Sequence, residues 1–153
     1  MESATEVVTC SWDHTIRMWD AETATLKTEL VGNKAFFGLC YSPEKKMLLT
    51  AASERTIRMY DPRSTEGLIV KSAYSSHQGW VTCVNWCKGN DHMFVSGSHD
   101  SLLKMWDVRA CKTPLYDLKG HSDQVLALSW ADPSIIVSGG ADNDMKIFKS
   151  NLK

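Results

Sequence analysis

The sequence has no run of like charges, no apolar stretch longer than a strand, and no segment that keeps a 3.6-residue apolar period beyond two turns. Each shortage excludes something. Seventeen basic against eighteen acidic residues leave a formal net charge of −1, so attraction of nucleic acid or a membrane surface through bulk charge is not expected. The N-terminal MESATEVV has neither a basic start nor an apolar core, and no apolar run reaches membrane-spanning length. The sequence therefore predicts a cytosolic or nuclear chain. The missing helical period predicts an all-β fold.

Paired cysteines are missing as well. Cys10, Cys40, Cys83, Cys87 and Cys111 are odd in number and contain no C-x-x-C pair. Cys83 and Cys87 would lie roughly 13 Å apart along a strand, too far to share one metal. The thiols read as reduced and packed as small apolar groups, with no metal or cofactor expected.

What the sequence does contain is one pattern used four times. Phe94 to Arg109, FVSGSHDSLLKMWDVR, is a β-branched and aromatic run, a Ser-Gly-Ser turn, an Asp, a second alternating run and Trp106-Asp107. Two strands joined by a tight polar turn is the direct reading. The pattern returns at Cys10 to Asp20, Ala51 to Arg63 and Ser138 to Phe148, with closing aromatics Trp19, Tyr60, Trp106 and Phe148. A step of about 40 to 45 residues with a Trp-Asp ending signals four-stranded propeller blades. The boundaries expected are 1–31 for an incomplete first blade holding strands two to four, 32–76 and 77–119 for complete blades, and 120–153 for an incomplete, three-stranded last blade. The architecture predicted is an open arc of a seven-bladed propeller, with unpaired edges that make independent folding of this length of chain doubtful.

These features resemble the WD-repeat (Trp-Asp) β-propellers over nearly the whole chain. In that family a His before the inner strand, a Ser or Thr on the second strand, an Asp in the next turn and the Trp of the third strand form a buried tetrad. His77, Ser96, Asp100 and Trp106 match it in full. Partial sets are His121, Ser138 and Asp142, closed by Phe148 instead of Trp, and Asp13 with Trp19. In the second blade Asn33, Glu54 and Tyr60 stand where His, Asp and Trp are expected. The tetrad satisfies each buried polar group in turn. Its His-Ser-Asp set also suggests a hydrolase, but a nucleophile must face solvent beside an oxyanion site and no G-x-S-x-G elbow occurs. An enzyme is not expected.

The strings GNKAFFGLCYSP, SSHQGWVTCVNW, RACKTPLYDLKGHSDQVLALSW and SGGADN are similar to the last blades of a WD-repeat family of ribosome-biogenesis factors. That resemblance implies a scaffold that binds Pescadillo-type and Bop-type assembly factors and pre-60S particles, serves large-subunit assembly and pre-rRNA processing, and resides in the nucleolus and nucleoplasm. Functions of the family's preceding ubiquitin-like domain and earlier blades are not carried over.

Trp19, Trp86, Trp106 and Trp130 hold repeat positions and read as core. Trp12 and Trp80 do not. Both fall in loop classes that emerge on one face near the channel, and with Gln78 and His99 they form the candidate protein-binding patch. Asp107 and Arg109, in Trp106-Asp107-Val108-Arg109, fit the W-D-x-R pattern by which some propellers contact a cullin-ligase adaptor, which gives an alternative function as a substrate receptor. The competing reading is a local Asp107–Arg109 pair at the blade edge. Arg17, Arg58, Lys104 and Lys146 recur two residues before the closing aromatic, a structural surface position first and an RNA-facing ring second. Other basic residues, Arg55, Arg63 and Lys112, are scattered.

Overall fold

A computed structural model describes residues 5–63, 69–110 and 113–150. Cys111, Lys112 and the first five residues of the irregular region beginning at Ser64 lie outside them. Among the described residues there are fourteen strands and no helix. Strands β1 (Glu6–Cys10), β2 (Thr15–Asp20) and β3 (Leu26–Val31) form one antiparallel sheet, and β4 (Phe36–Ser42), β5 (Met47–Ala52), β6 (Thr56–Tyr60) and β7 (Val70–Ser75) a second. Strands β8 (Val81–Trp86), β9 (Met93–Ser98), β10 (Leu103–Asp107) and β11 (Tyr116–Leu118) form the third, and β12 (Val125–Asp132), β13 (Ile135–Gly140) and β14 (Met145–Lys149) the fourth. Two four-stranded blades thus stand between two three-stranded ones, in the propeller-fragment architecture expected. The outer strand β11 is short and starts at Tyr116, since Pro114 has no N–H to extend its ladder.

The inner strands β4, β8 and β12 lie side by side, and β1 is the neighbour of β4. Each inner strand opens with a bulge, between Phe36 and Gly38, Val81 and Cys83, and Val125 and Ala127. The extra residue in each, Phe37, Thr82 or Leu126, drops out of the ladder.

The core lies between blades. Ile16, Phe36, Leu48 and Ala52 join the first two sheets. Leu49, Ile57, Tyr74, Val84, Trp86, Phe94 and Trp106 join the second and third. Val95, Leu103, Met105, Val125, Trp130 and Ile136 join the third and fourth. Burial raises the thiols of Cys10, Cys40 and Cys87 above the usual range and pushes Cys83 up to about 11.

Register shows why the ends differ from the middle. Met93, Val95, Leu103 and Met105 are buried beneath the fourth sheet. Their counterparts in that sheet are Ile135, Val137, Met145 and Ile147, and Met145 and Ile147 are 69% and 60% exposed. At the other end Trp19 is only half-buried, which corrects its reading as core. Trp106 is enclosed by Tyr74 of the preceding blade, and among the described residues no sheet precedes the one that carries Trp19.

Candidate functional site

In the third blade the four predicted side chains form one chain of hydrogen bonds. His77 Nδ1 lies 2.8 Å from Asp100 Oδ2, and the Ser96 hydroxyl lies 2.8 Å from His77 Nε2. The Trp106 indole N–H donates to the same Ser96 oxygen at 2.8 Å. With Asp100 as acceptor, Nδ1 carries the imidazole proton and Nε2 accepts from Ser96, so all four groups are satisfied. Burial opposes ionisation of Asp100, but His77 and the backbone N–H groups of Gln78 and Leu102 hold its carboxyl well below the usual range. His77 is 3% and Ser96 0% exposed. A buried, fully bonded hydroxyl cannot reach a substrate, so this His-Ser-Asp arrangement is a bracing network.

The fourth blade repeats the arrangement without its last bond. His121 Nδ1 lies 2.9 Å from both Asp142 oxygens and Nε2 lies 2.8 Å from Ser138 Oγ, while Phe148 offers no N–H. In the first blade the Trp19 indole donates to Thr9 Oγ1 at 3.0 Å. Thr9 occupies the Ser96 position, a match visible from spacing but not singled out by the sequence. There Asp13 turns to Thr15 and to Arg17.

The second blade corrects the sequence alignment. Phe36, Val81 and Val125 are equivalent in the ladders, each paired to the end of a second strand. Counting back four residues reaches His77 and His121, but in this blade it reaches Gly32, so Asn33 stands one place beyond the imidazole position. A Cβ on Gly32 would lie 2.9 Å from the Phe36 ring. Without an imidazole, Glu54 binds Arg58 in a two-pronged pair at 2.8 Å for each bond. A cavity of about 380 Å³ lined by Gly32, Asn33, Glu54, Arg58 and Tyr60 remains.

The channel end of the arc carries a different kind of site. Trp12 and Trp80 are 74% and 50% exposed. Phe37, which the sequence did not single out, lies between them. Its ring centre is 5.7 Å from that of Trp12, edge to face, and 6.0 Å from that of Trp80. His99 stacks on Phe37 at 6.5 Å and lies 5.6 Å from Trp80. With Ala35, Ser53, Thr82 and Leu126 these rings line a pocket of about 600 Å³. The repeat builds it. Trp12, Ser53 and His99 hold the same turn position in three blades, and Phe37, Thr82 and Leu126 are the three bulge residues. The small Ala35 and Ser53 of the second blade leave the space that the larger residues of its neighbours wall. Gln78 stays outside, in a side cleft with Arg55, Gly79, Trp80 and His99. Its backbone N–H goes to Asp100.

The other candidates are engaged locally. Arg109 donates from Nε to Asp107 Oδ1 at 2.8 Å, and its backbone N–H reaches the same oxygen. Arg63 closes on Asp61 in the same way at 2.9 Å. The Asp-x-Arg pair is thus a repeated turn closure, although the Arg109 side chain remains 71% exposed. The four periodic cations are likewise paired. Arg17 meets Glu29, Arg58 meets Glu54, Lys104 meets Asp117 and Lys146 meets Asp144. Lys104 is itself buried.

A family model described as "WD domain, G-beta repeat" matches residues 3–20, 24–61, 69–107 and 112–149. The chain belongs to the WD-repeat family. Among curated WD-repeat relatives, the "Ribosome biogenesis protein WDR12 homolog" of Ixodes scapularis is 51% identical over 144 residues, 94% of this chain and 34% of that protein. The protein of the same name from Anopheles gambiae is 47% identical over 148 residues, 97% of this chain and 35% of its own length. The Culex quinquefasciatus homologue is 45% identical over 146 residues, 95% of this chain and 34% of its own. The chain spans about a third of the length of these relatives.

Proposed function

We propose that this chain is a non-enzymatic protein-binding scaffold of ribosome biogenesis, acting in large-subunit (60S) assembly and pre-rRNA processing within a Pescadillo–Bop-type complex in the nucleolus and nucleoplasm. The observation that supports it most is the 51% identity to a protein named for ribosome biogenesis, carried over 94% of the chain. The binding surface we assign is the aromatic pocket at the channel end, because Trp12 and Trp80 are large, rigid and exposed. The tetrads brace the blades beneath it and take no part in contact. Nothing favours the alternative of a cullin-ligase substrate receptor, since Asp107 and Arg109 answer each other.

Affinity purification of the tagged chain from nuclear extract tests the reading. Pescadillo-type and Bop-type factors are expected to copurify and to be lost in Trp80→Ala, whose melting temperature should stay near that of the parent chain. Copurification of a cullin adaptor, abolished by Arg109→Ala, would move the protein to the ligase class.

A further inference from the structure

The aromatic pocket has a rim whose charges are not balanced. Around it, the carboxylates Asp13, Glu54 and Asp100 are each taken up by a neighbour, namely Arg17, Arg58 and His77. Arg55 lines the side cleft against Trp80 and His99, while Lys34 lines the separate cavity of the second blade with Glu54 and Arg58. Neither Arg55 nor Lys34 has an ion-pair partner among the described residues, and Arg55 is exposed. Asp123, at the lead-in to β12, has no ion-pair partner among the described residues, and its Oδ1 accepts the Gln124 N–H.

We infer that the pocket receives one bulky apolar side chain of an acidic protein segment, and that a carboxylate beside this anchor pairs with Arg55. The inference rests on the reading of the channel end as a protein-binding surface and supplies the chemistry of the partner. Two features argue for it. A concave site of about 600 Å³ walled by Trp12, Phe37 and Trp80 encloses a side chain on several sides, which a flat stacking platform does not do. An unpaired guanidinium next to an apolar pocket favours a carboxylate in bidentate contact, which fixes the register of the anchor. Exposed aromatics with an arginine can also stack single-stranded RNA. A net charge of −1, with the four periodic cations already paired, gives RNA little to hold.

A library of random displayed peptides, selected on the chain and followed by calorimetry with the enriched sequences, decides the matter. Selected peptides are expected to carry Leu, Met, Phe or Trp within two or three residues of Asp or Glu. Trp80→Ala should weaken them about 30-fold or more, the level of an anchor residue. Arg55→Glu should weaken them about tenfold and shift selection toward Lys-flanked peptides. Both positions are exposed, so unchanged melting curves will show that the variants fold.

Selection without acidic flanks, indifferent to Arg55→Glu, would overturn the acidic partner. Failure to select any Trp80-dependent peptide would overturn the pocket as its site. Micromolar binding of a single-stranded oligouridylate, lost in both variants, would replace the protein partner with RNA. Peptide selectivity that holds while assembly factors fail to copurify would instead fail the ribosome reading alone.

Discussion

Trp106 donates its indole N–H to the Ser96 hydroxyl at 2.8 Å, whereas the equivalent ring in the next blade, Phe148, has no N–H to give. One chain therefore contains the same network with and without its last bond. Trp106→Phe in the third blade is expected to cost about 1 to 3 kcal/mol, from the lost bond and the space left by the smaller ring. Equilibrium urea unfolding measures it. A cost near zero would mean that the indole contributes only packing that Phe can match.

The carboxylates of these networks give the fold an acid limit. At Asp142 burial opposes the charge, but the Ser122 N–H, the His121 imidazole and the Asp144 N–H prevail and hold the group at about 2. Asp13, bonded to Thr15 and Arg17, is also held at about 2. An unfolded Asp titrates near about 3.9. Because the folded value is the lower one, this stabilisation is fully present above the unfolded value and is lost as pH falls toward 2. Urea midpoints should thus fall between pH 4 and pH 2.5. Asp142→Asn should lower the midpoint at pH 7 and flatten the acid decline; an unchanged decline would exclude Asp142 as a source.

Two glycines at one repeat position should respond in opposite ways. A Cβ on Gly97 would lie 2.6 Å from Val125 Cγ1 and 2.7 Å from Cys83 Sγ, both held in the joint between blades. At Gly139 nothing lies within 4 Å. Gly97→Ala is expected to destabilise by about 1 to 3 kcal/mol through overpacking. Gly139→Ala should be neutral or slightly stabilising, since it only restricts the unfolded chain. Thermal melts of the two variants, read side by side, check this, and equal losses would show that Gly139 is covered in solution.

Strand positions and the third-blade tetrad were legible because they depend on residue type and spacing alone. Alternating runs, the turn residues and the Trp-Asp endings locate the second and third strands of every blade. What depends on bulges was not legible. The imidazole position falls at Gly32 and not at Asn33 only once the ladders set Phe36 level with Val81 and Val125, and the bulge at the head of β4 turns Phe37 out of its strand toward Trp12 and Trp80. Partners across strands were hidden for a related reason. Arg17 and Lys104 face Glu29 and Asp117 only in the ladder, through registers that no local spacing reveals. The exposure of Trp19 depends on a neighbouring sheet and not on its own repeat.

Every ladder in the four sheets joins strands that follow one another in sequence. Each blade can therefore close over short loops before any joint between blades forms, which is the condition for fast, stepwise assembly. It is also the condition for stepwise opening. Among the described residues the second and third blades have a neighbour on each face, and the first and fourth have one. In native-state hydrogen exchange the amides of β2 and β13 should open well before those of β5 and β9, through partial unfolding that leaves the middle pair intact. The aromatic pocket draws Trp12 from the first sheet and Leu126 from the fourth, so each opening of an outer sheet in that experiment would also take one wall from the pocket.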